Sequence, residues 1–132
     1  MPGAPHFFID RSLGRIRVPG RLRAAGWELT TLAEHYGIPA DEDVPDIEWL
    51  TLAGTRGWAV LMKDDRIRRR PAELAALKAA GVHAFCIANA NLDTDHQVEI
   101  LLHHQTHIFQ RCAEHGPTLD ILNKSGMRPI DL

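Results

Sequence analysis

A chain of 132 residues fits one domain and is long enough to bury a core without disulfides or a structural metal. Its 45% apolar and 24% charged residues are those of an ordinary soluble globule, and no stretch approaches the roughly 20 apolar residues of a membrane span. The formal charge of −2 argues neither for nor against a nucleic-acid partner, so any polyanion has to be met by a local basic patch.

In chain order, His6 to Asp10 reads as a short apolar strand. Pro19 to Ala25 reads as a helix, with Pro19 near its first turn and Gly26 past its end. Trp27 to Leu32 is rich in Thr and apolar residues and predicts a second strand, followed by a turn-rich segment from Tyr36 to Pro45. Asp46 to Arg56 is the next helix, with Ile47, Leu50 and Ala53 on one stripe and Gly57 as its stop. Trp58 to Met62 is apolar at consecutive positions, as expected of a strand buried on both faces. A helix over Pro71 to Ala80 is closed by Gly81 and leads to a fourth strand, Val82 to Ala88. The longest predicted helix runs from Thr94 to about His115, with capping-box spacing between Thr94 and Gln97 and a stop at Gly116-Pro117. Thr118 to Leu132 predicts a terminal hairpin around Asn123-Lys124-Ser125-Gly126. Strands alternating with helices argue an α/β fold, a mostly parallel sheet with helices on both sides.

The N-terminus has no charged segment followed by an apolar run. Cys86 and Cys112 belong to no Cys-x-x-Cys pair and read as core residues of a reducing compartment. The expected location is the cytoplasm.

Three short acidic blocks carry the chemistry. Asp10 follows the first apolar strand, Asp64 and Asp65 follow the third, and Asp46 opens a helix. Ends of this kind line the crevice at the carboxyl edge of an open sheet. Carboxylates gathered there repel one another unless a cation holds them. Hard oxygen ligands suit Mg²⁺, or Mn²⁺, with substrate phosphate oxygens completing the shell. Asp46 also suits a first-turn role facing the helix dipole, and Glu48, two residues on, points elsewhere.

Basic residues crowd around two of the blocks. Lys63, Arg66, Arg68, Arg69 and Arg70 surround the third, while Arg11, Arg15 and Arg17 follow the first. The run Arg68-Arg69-Arg70, beside the expected metal ligands, suits phosphate contacts, and binding through them weakens steeply with salt. His96, His103 and His107 fall in a narrow arc opposite the apolar stripe when about 100° is allowed per residue, and read as a solvated face. The same geometry puts Gln105 amid the stripe, where its amide needs partners or a second chain.

In sum the chain resembles a PIN-like domain, the three-layer α/β/α fold of VapC-type nucleases in toxin–antitoxin systems. The blocks that carry the likeness are Phe-Phe-Ile-Asp10, Leu22-Arg-Ala-Ala-Gly26, Asp46-Ile-Glu-Trp-Leu50, Gly57-Trp-Ala-Val-Leu-Met-Lys-Asp64, and Arg66-Ile67 with Arg-Arg-Pro71. They cover most of the chain to about Ile87. The resemblance implies a single PIN-like domain over residues 1–132 and a Mg²⁺-dependent endoribonuclease in which metal-activated water attacks the RNA phosphodiester. Carried over by position, Asp10, Asp46 and Asp64 are the catalytic metal ligands, with Asp65 as a fourth. Arg11, Lys63, Arg66 and Arg68 are the residues assigned to RNA phosphates. It further implies a cognate antitoxin over the crevice and a homodimer, the common state of such domains.

Two departures stand out: the helical acid is Asp46 rather than a Glu at the usual place, and Asn89 and Asn91 stand after the fourth strand instead of an acid. Met62 occupies a position where related sequences often carry Thr or Ser. The alternatives are a PIN-like RNA-binding or interaction protein without turnover and a receiver-like phosphotransfer module, the latter disfavoured by Ile87-Ala88-Asn89 at the end of the fourth strand.

Overall fold

The computed structural model describes residues 4–63, 67, 69–89 and 91–132. Six strands form one sheet in the order β2-β1-β3-β4-β5-β6. They are β1 (His6–Ile9), β2 (Glu28–Thr31), β3 (Ala59–Lys63), β4 (His83–Ile87), β5 (Thr118–Leu122) and β6 (Met127–Ile130). The first five run parallel and β6 returns antiparallel to β5. The expected hairpin is therefore present, and its first strand extends the parallel sheet through β4.

Alternation of side chains divides the core in two, as a sheet covered on both faces requires. Phe7, Ile9, Leu61, Phe85 and Ile87 point to one face, where α1 (Arg17–Ala24), α5 (Thr94–His103) and α6 (Gln105–Cys112) supply Leu22, Val98, Leu101 and Ile108. Phe8, Val60, Met62, Ala84 and Cys86 point to the other, where α3 (Asp46–Arg56) and α4 (Pro71–Ala80) supply Trp49, Leu50, Ala53 and Leu77. The result is three layers, α/β/α. From β1 the chain goes to β2 at one edge, and from β3 it goes to β4 toward the other. The slot between β1 and β3 is thus a topological switch point, where open sheets of this kind place their ligands.

Helices α3 and α4 pack side by side at unusually close range. A Cβ on Gly54 would lie 2.5 Å from the Ala80 carbonyl oxygen, so only glycine lets the two helix ends approach this far. Gly54 lies near the end of α3 and Ala80 ends α4, so the helices run parallel and both N-termini face the carboxyl edge of the sheet.

The structure departs from the sequence expectations mainly in the bounds and breaks of its elements. The predicted strand over Trp27 to Leu32 stops at Thr31, because Thr31 and Glu34 form a capping box that opens α2 (Leu32–Tyr36). Within the turn-rich segment lies a 3-10 turn, Ala40–Glu42. The helix expected from Pro19 begins at Arg17. The long helix from Thr94 is two helices, α5 and α6, divided at His104, whose backbone sits at φ −95° and ψ 9°. His104 is buried and its Nε2 meets the Asn123 carbonyl at 2.8 Å, so a contact with the β5–β6 turn breaks the helix. Its N-cap is Asp93, whose side chain accepts the His96 N–H, one position before the predicted cap.

Gln105, the first residue of α6, is only half-buried. The buried amide is instead Gln97, which donates to the Leu92 carbonyl. His103 and His107 are exposed as predicted, and His96 pairs with Asp93. Cys86 is buried in β4, and burial pushes the half-buried Cys112 thiol up to about 12. Among the described residues no helix is long and apolar enough to cross a membrane.

Candidate functional site

Asp10 stands one residue past β1, where its N–H still donates to the Leu61 carbonyl at 3.0 Å and so continues the ladder with β3. That bond fixes the backbone at the mouth of the switch point. Asp46 is the first residue of α3. Both line a cleft of about 280 Å³ with Arg11, Ser12, Trp49, Met62, Lys63, Ile67, Arg70 and Glu73. Two strand ends and two helix N-termini therefore converge on one place. The positive ends of α3 and α4 favour negative charge there.

Each carboxylate is held by specific partners. The Ser12 hydroxyl donates to Asp10 Oδ2 at 2.7 Å, and Ser12 Oγ accepts the Lys63 N–H at 3.2 Å. Ser12 thus places a hydroxyl in the cleft that Met62 also lines. The Trp49 indole N–H donates to Asp46 Oδ1 at 2.9 Å, which explains Asp-x-x-Trp at the start of α3: the residues lie one helical turn apart. Arg11 reaches Asp46 at 3.8 Å and donates to the Val44 carbonyl at 3.3 Å, so its guanidinium sits at the rim of the cleft.

Burial raises the Asp10 carboxyl above its ordinary value, and the Asp46 charge adds to that effect, while the Ser12 hydrogen bond and Arg11 oppose it. Asp10 Oδ1 is buried and has no hydrogen-bond partner among the described residues. An orphaned carboxylate oxygen in a crowded acidic cleft fits a hard divalent cation, which would satisfy it and offset the repulsion. Among the described residues no group of three or more His, Cys, Asp or Glu meets the spacing of a metal site. Asp64 and Asp65, expected as ligands, lie outside the described residues, as do Arg66 and Arg68.

Of the remaining basic residues, Arg15 is not available to a phosphate. Its guanidinium donates to both Asp41 oxygens at 2.9 and 2.8 Å and to Glu42 at 3.1 Å, and Asp41 is almost fully buried. Arg17 is exposed. Asn89 is exposed and its side chain accepts the Asn91 N–H at 2.9 Å, making a turn after β4. It lines a separate cleft with Leu92 and Asn123.

Glu73 is the cleft residue that sequence reasoning missed. It lies in the first turn of α4, where an acid is unremarkable because the helix dipole favours one. The available signal was its match to Asp46: each follows a helix-opening proline closely, Pro45-Asp46 and Pro71-Ala72-Glu73. Burial raises the Glu73 carboxyl, as does its contact with Asp46, and Arg70 at 3.5 Å works against both.

Residues 5–89, spanning β1 to the end of β4, match the family model described as a PIN like domain. The chain is also 40% identical over 87 residues to "Putative ribonuclease VapC45" of Mycobacterium tuberculosis, a match covering 66% of this chain and 63% of that protein. It therefore spans less than two thirds of that relative's length. No solved structure matches significantly. A parallel sheet with its switch point between β1 and β3, an aspartate at the end of β1 and a second at the head of α3 agree with the family match: this chain belongs to the PIN-like domain family.

Proposed function

We propose that the protein is a Mg²⁺-dependent endoribonuclease and the toxin of a toxin–antitoxin pair. The observation that carries the reading is the cleft in which Asp10 and Asp46 face each other, with Asp10 Oδ1 buried and unsatisfied. Similarity to a mycobacterial protein named as a ribonuclease supports RNA as the substrate. The toxin role and a cognate antitoxin rest on the likeness to VapC-type domains.

Asp10 and Asp46 hold the cation, with Asp64 and Asp65 as further ligands by their place after β3. When bound, it neutralises charge growing on the phosphate and makes an attacking water more acidic. The chain's own residues do the positioning. Ser12 orients Asp10, and the Trp49 indole orients Asp46. Arg11 and Lys63 line the same cleft and bind phosphate oxygens of the RNA, with Arg66 and Arg68 assigned there by sequence position. Membership of the PIN-like family leaves the receiver-like alternative without support.

The test is RNA cleavage by the purified chain with Mg²⁺, Mn²⁺ or EDTA, repeated with Asp10→Ala and Asp46→Ala. Cleavage is expected to need the divalent ion and to fall at least on the order of 100-fold in each variant, as for loss of a ligand at a preorganised charged site. EDTA-insensitive cleavage, or full activity in both variants, defeats the proposal. RNA bound without cleavage would favour a domain that has lost turnover.

A further inference from the structure

We infer that Arg15 is a positioning residue for the RNA site: through Asp41 it pins the segment after β1 and so holds the Arg11 guanidinium ready for a phosphate. This rests on the RNA-cleaving reading above and concerns how the strand is gripped.

Two segments meet here, residues 11–16 after β1 and residues 40–46 leading into α3. Arg15 forks onto both Asp41 oxygens at 2.9 and 2.8 Å and reaches Glu42 at 3.1 Å. Asp41 is 1% exposed. Four residues before Arg15, Arg11 reaches the same segment, at the Val44 carbonyl at 3.3 Å and at Asp46 at 3.8 Å. The earlier arginine meets the later residues, so the segments run past each other in opposite senses. The two ties are unequal. A bidentate arginine–carboxylate pair fixes orientation as well as distance, whereas both Arg11 contacts are long. Ser12, between them, needs no such support, because its hydroxyl is tied to Asp10 at 2.7 Å and to the Lys63 N–H at 3.2 Å. Arg11 is therefore the cleft residue of this segment whose placement depends on the clamp.

An ion pair to a buried carboxylate is a costly way to hold a loop, since apolar side chains of like volume often serve at least as well. What the fork adds is a fixed direction. Gly14, at φ +87°, turns the chain between the 3-10 turn Arg11–Leu13 and Arg15, and Leu13 is buried in the core. The span is thus anchored at Leu13 and Arg15, and Arg11 is its free arm. Arg11 lines the cleft that holds Asp10 and Asp46, and it also borders a second cleft of about 530 Å³ beside Arg17. It stands on the divide that a strand running from one cleft to the other has to cross. A long side chain that must be ordered on binding forfeits affinity, roughly 2- to 10-fold for one arginine, and a prealigned one does not.

The test is binding of a labelled single-stranded RNA of mixed sequence, read by fluorescence anisotropy in EDTA. The full chain carries Asp10→Asn in every sample, which holds cleavage back. Arg15→Gln with Asp41→Asn removes the ion pair at constant net charge and strands neither partner. It is expected to weaken RNA binding about 2- to 10-fold, and to have no further effect once Arg11→Ala is present, because it acts through Arg11. In the cleaving chain it is expected to raise KM by the same factor with kcat unchanged. Arg15→Lys keeps the charge without the fork; it is expected to weaken binding in the same direction, and it carries the comparison if the double variant does not fold. Unaltered affinity in the folded variant, or a loss that adds in full to that of Arg11→Ala, overturns the inference and leaves the nuclease reading standing. A parent chain that binds no RNA overturns it too, while Mg²⁺-dependent cleavage by the wild type decides the nuclease reading separately.

Discussion

Asp10 ionises against its surroundings. Burial is the main cause of its raised carboxyl, and the Asp46 charge adds to it. In the unfolded chain the same group ionises at its ordinary value. Between the two values the folded protein binds more protons, so stability falls as pH rises through that window, and the full penalty remains above it. Glu73 has the same sign, through burial and Asp46. Without divalent ions, Asp10→Asn is therefore expected to melt at a higher temperature than wild type at neutral pH, with the difference shrinking as pH falls and vanishing only well below about 3.9, where Asp10 is protonated in both states. Thermal melts in EDTA across that range check it. Added Mg²⁺ is expected to raise the wild-type melting temperature by mass action and to leave Asp10→Asn nearly unchanged. A variant less stable than wild type in EDTA at neutral pH would show that Asp10 carries no such penalty.

At this scale much of the site was legible. Asp10 could be read because a contiguous apolar run ends at it, and Asp46 because it follows Pro45 at the head of a patterned helix. Glu73 could not, since a glutamate in a helix's first turn already has a sufficient local explanation. The Arg15 ion pair was hidden for a related reason. Its partner Asp41 looks like a turn residue in the sequence, and only tertiary packing buries it.

The elements show where local pattern stops being informative. Strands β1, β3 and β4 were plain because residues buried on both faces form unbroken apolar runs. Helix α2 was missed although Thr31 and Glu34 carry the capping-box signature; five residues are too few for an apolar stripe to emerge. The division at His104 has no local cause at all, for it depends on the Asn123 carbonyl 19 positions later. Close packing of α3 on α4 is likewise invisible until the partner is known. Gly54 decides it: an added methyl meets a backbone oxygen at 2.5 Å, and backbone cannot move aside as a flexible side chain can. Gly54→Ala is expected to destabilise the fold by about 1–3 kcal/mol, as overpacking does. Because it shifts the helix that carries Asp46, it should weaken Mn²⁺ binding as well. Chemical denaturation together with a metal titration measures both, and a stability within about 0.5 kcal/mol of wild type would mean that the helices have room.

Across the molecule, the family match ends at residue 89, just after β4. The segment beyond it, α5, α6, β5 and β6, completes one face of the core and one edge of the sheet. An ion pair fastens this segment together. Asp120 on β5 is fully buried, and Arg111 of α6 donates to its two oxygens at 3.1 and 3.2 Å. Removing one member of such a pair strands the other's charge, so Arg111→Ala is expected to cost about 3–5 kcal/mol. Loss of under about 1 kcal/mol in a urea melt would show that Asp120 finds another partner. The site lies at the opposite partition of the sheet, between β1 and β3, so this variant, where folded, should keep its Mn²⁺ affinity.

That partition arises because the chain leaves β1 and β3 in opposite directions. Its existence belongs to the route of the backbone and not to the side chains that line it. Replacing Asp10, Asp46 and Glu73 together would discharge the slot without closing it, leaving an empty mould that can be relined for another ligand.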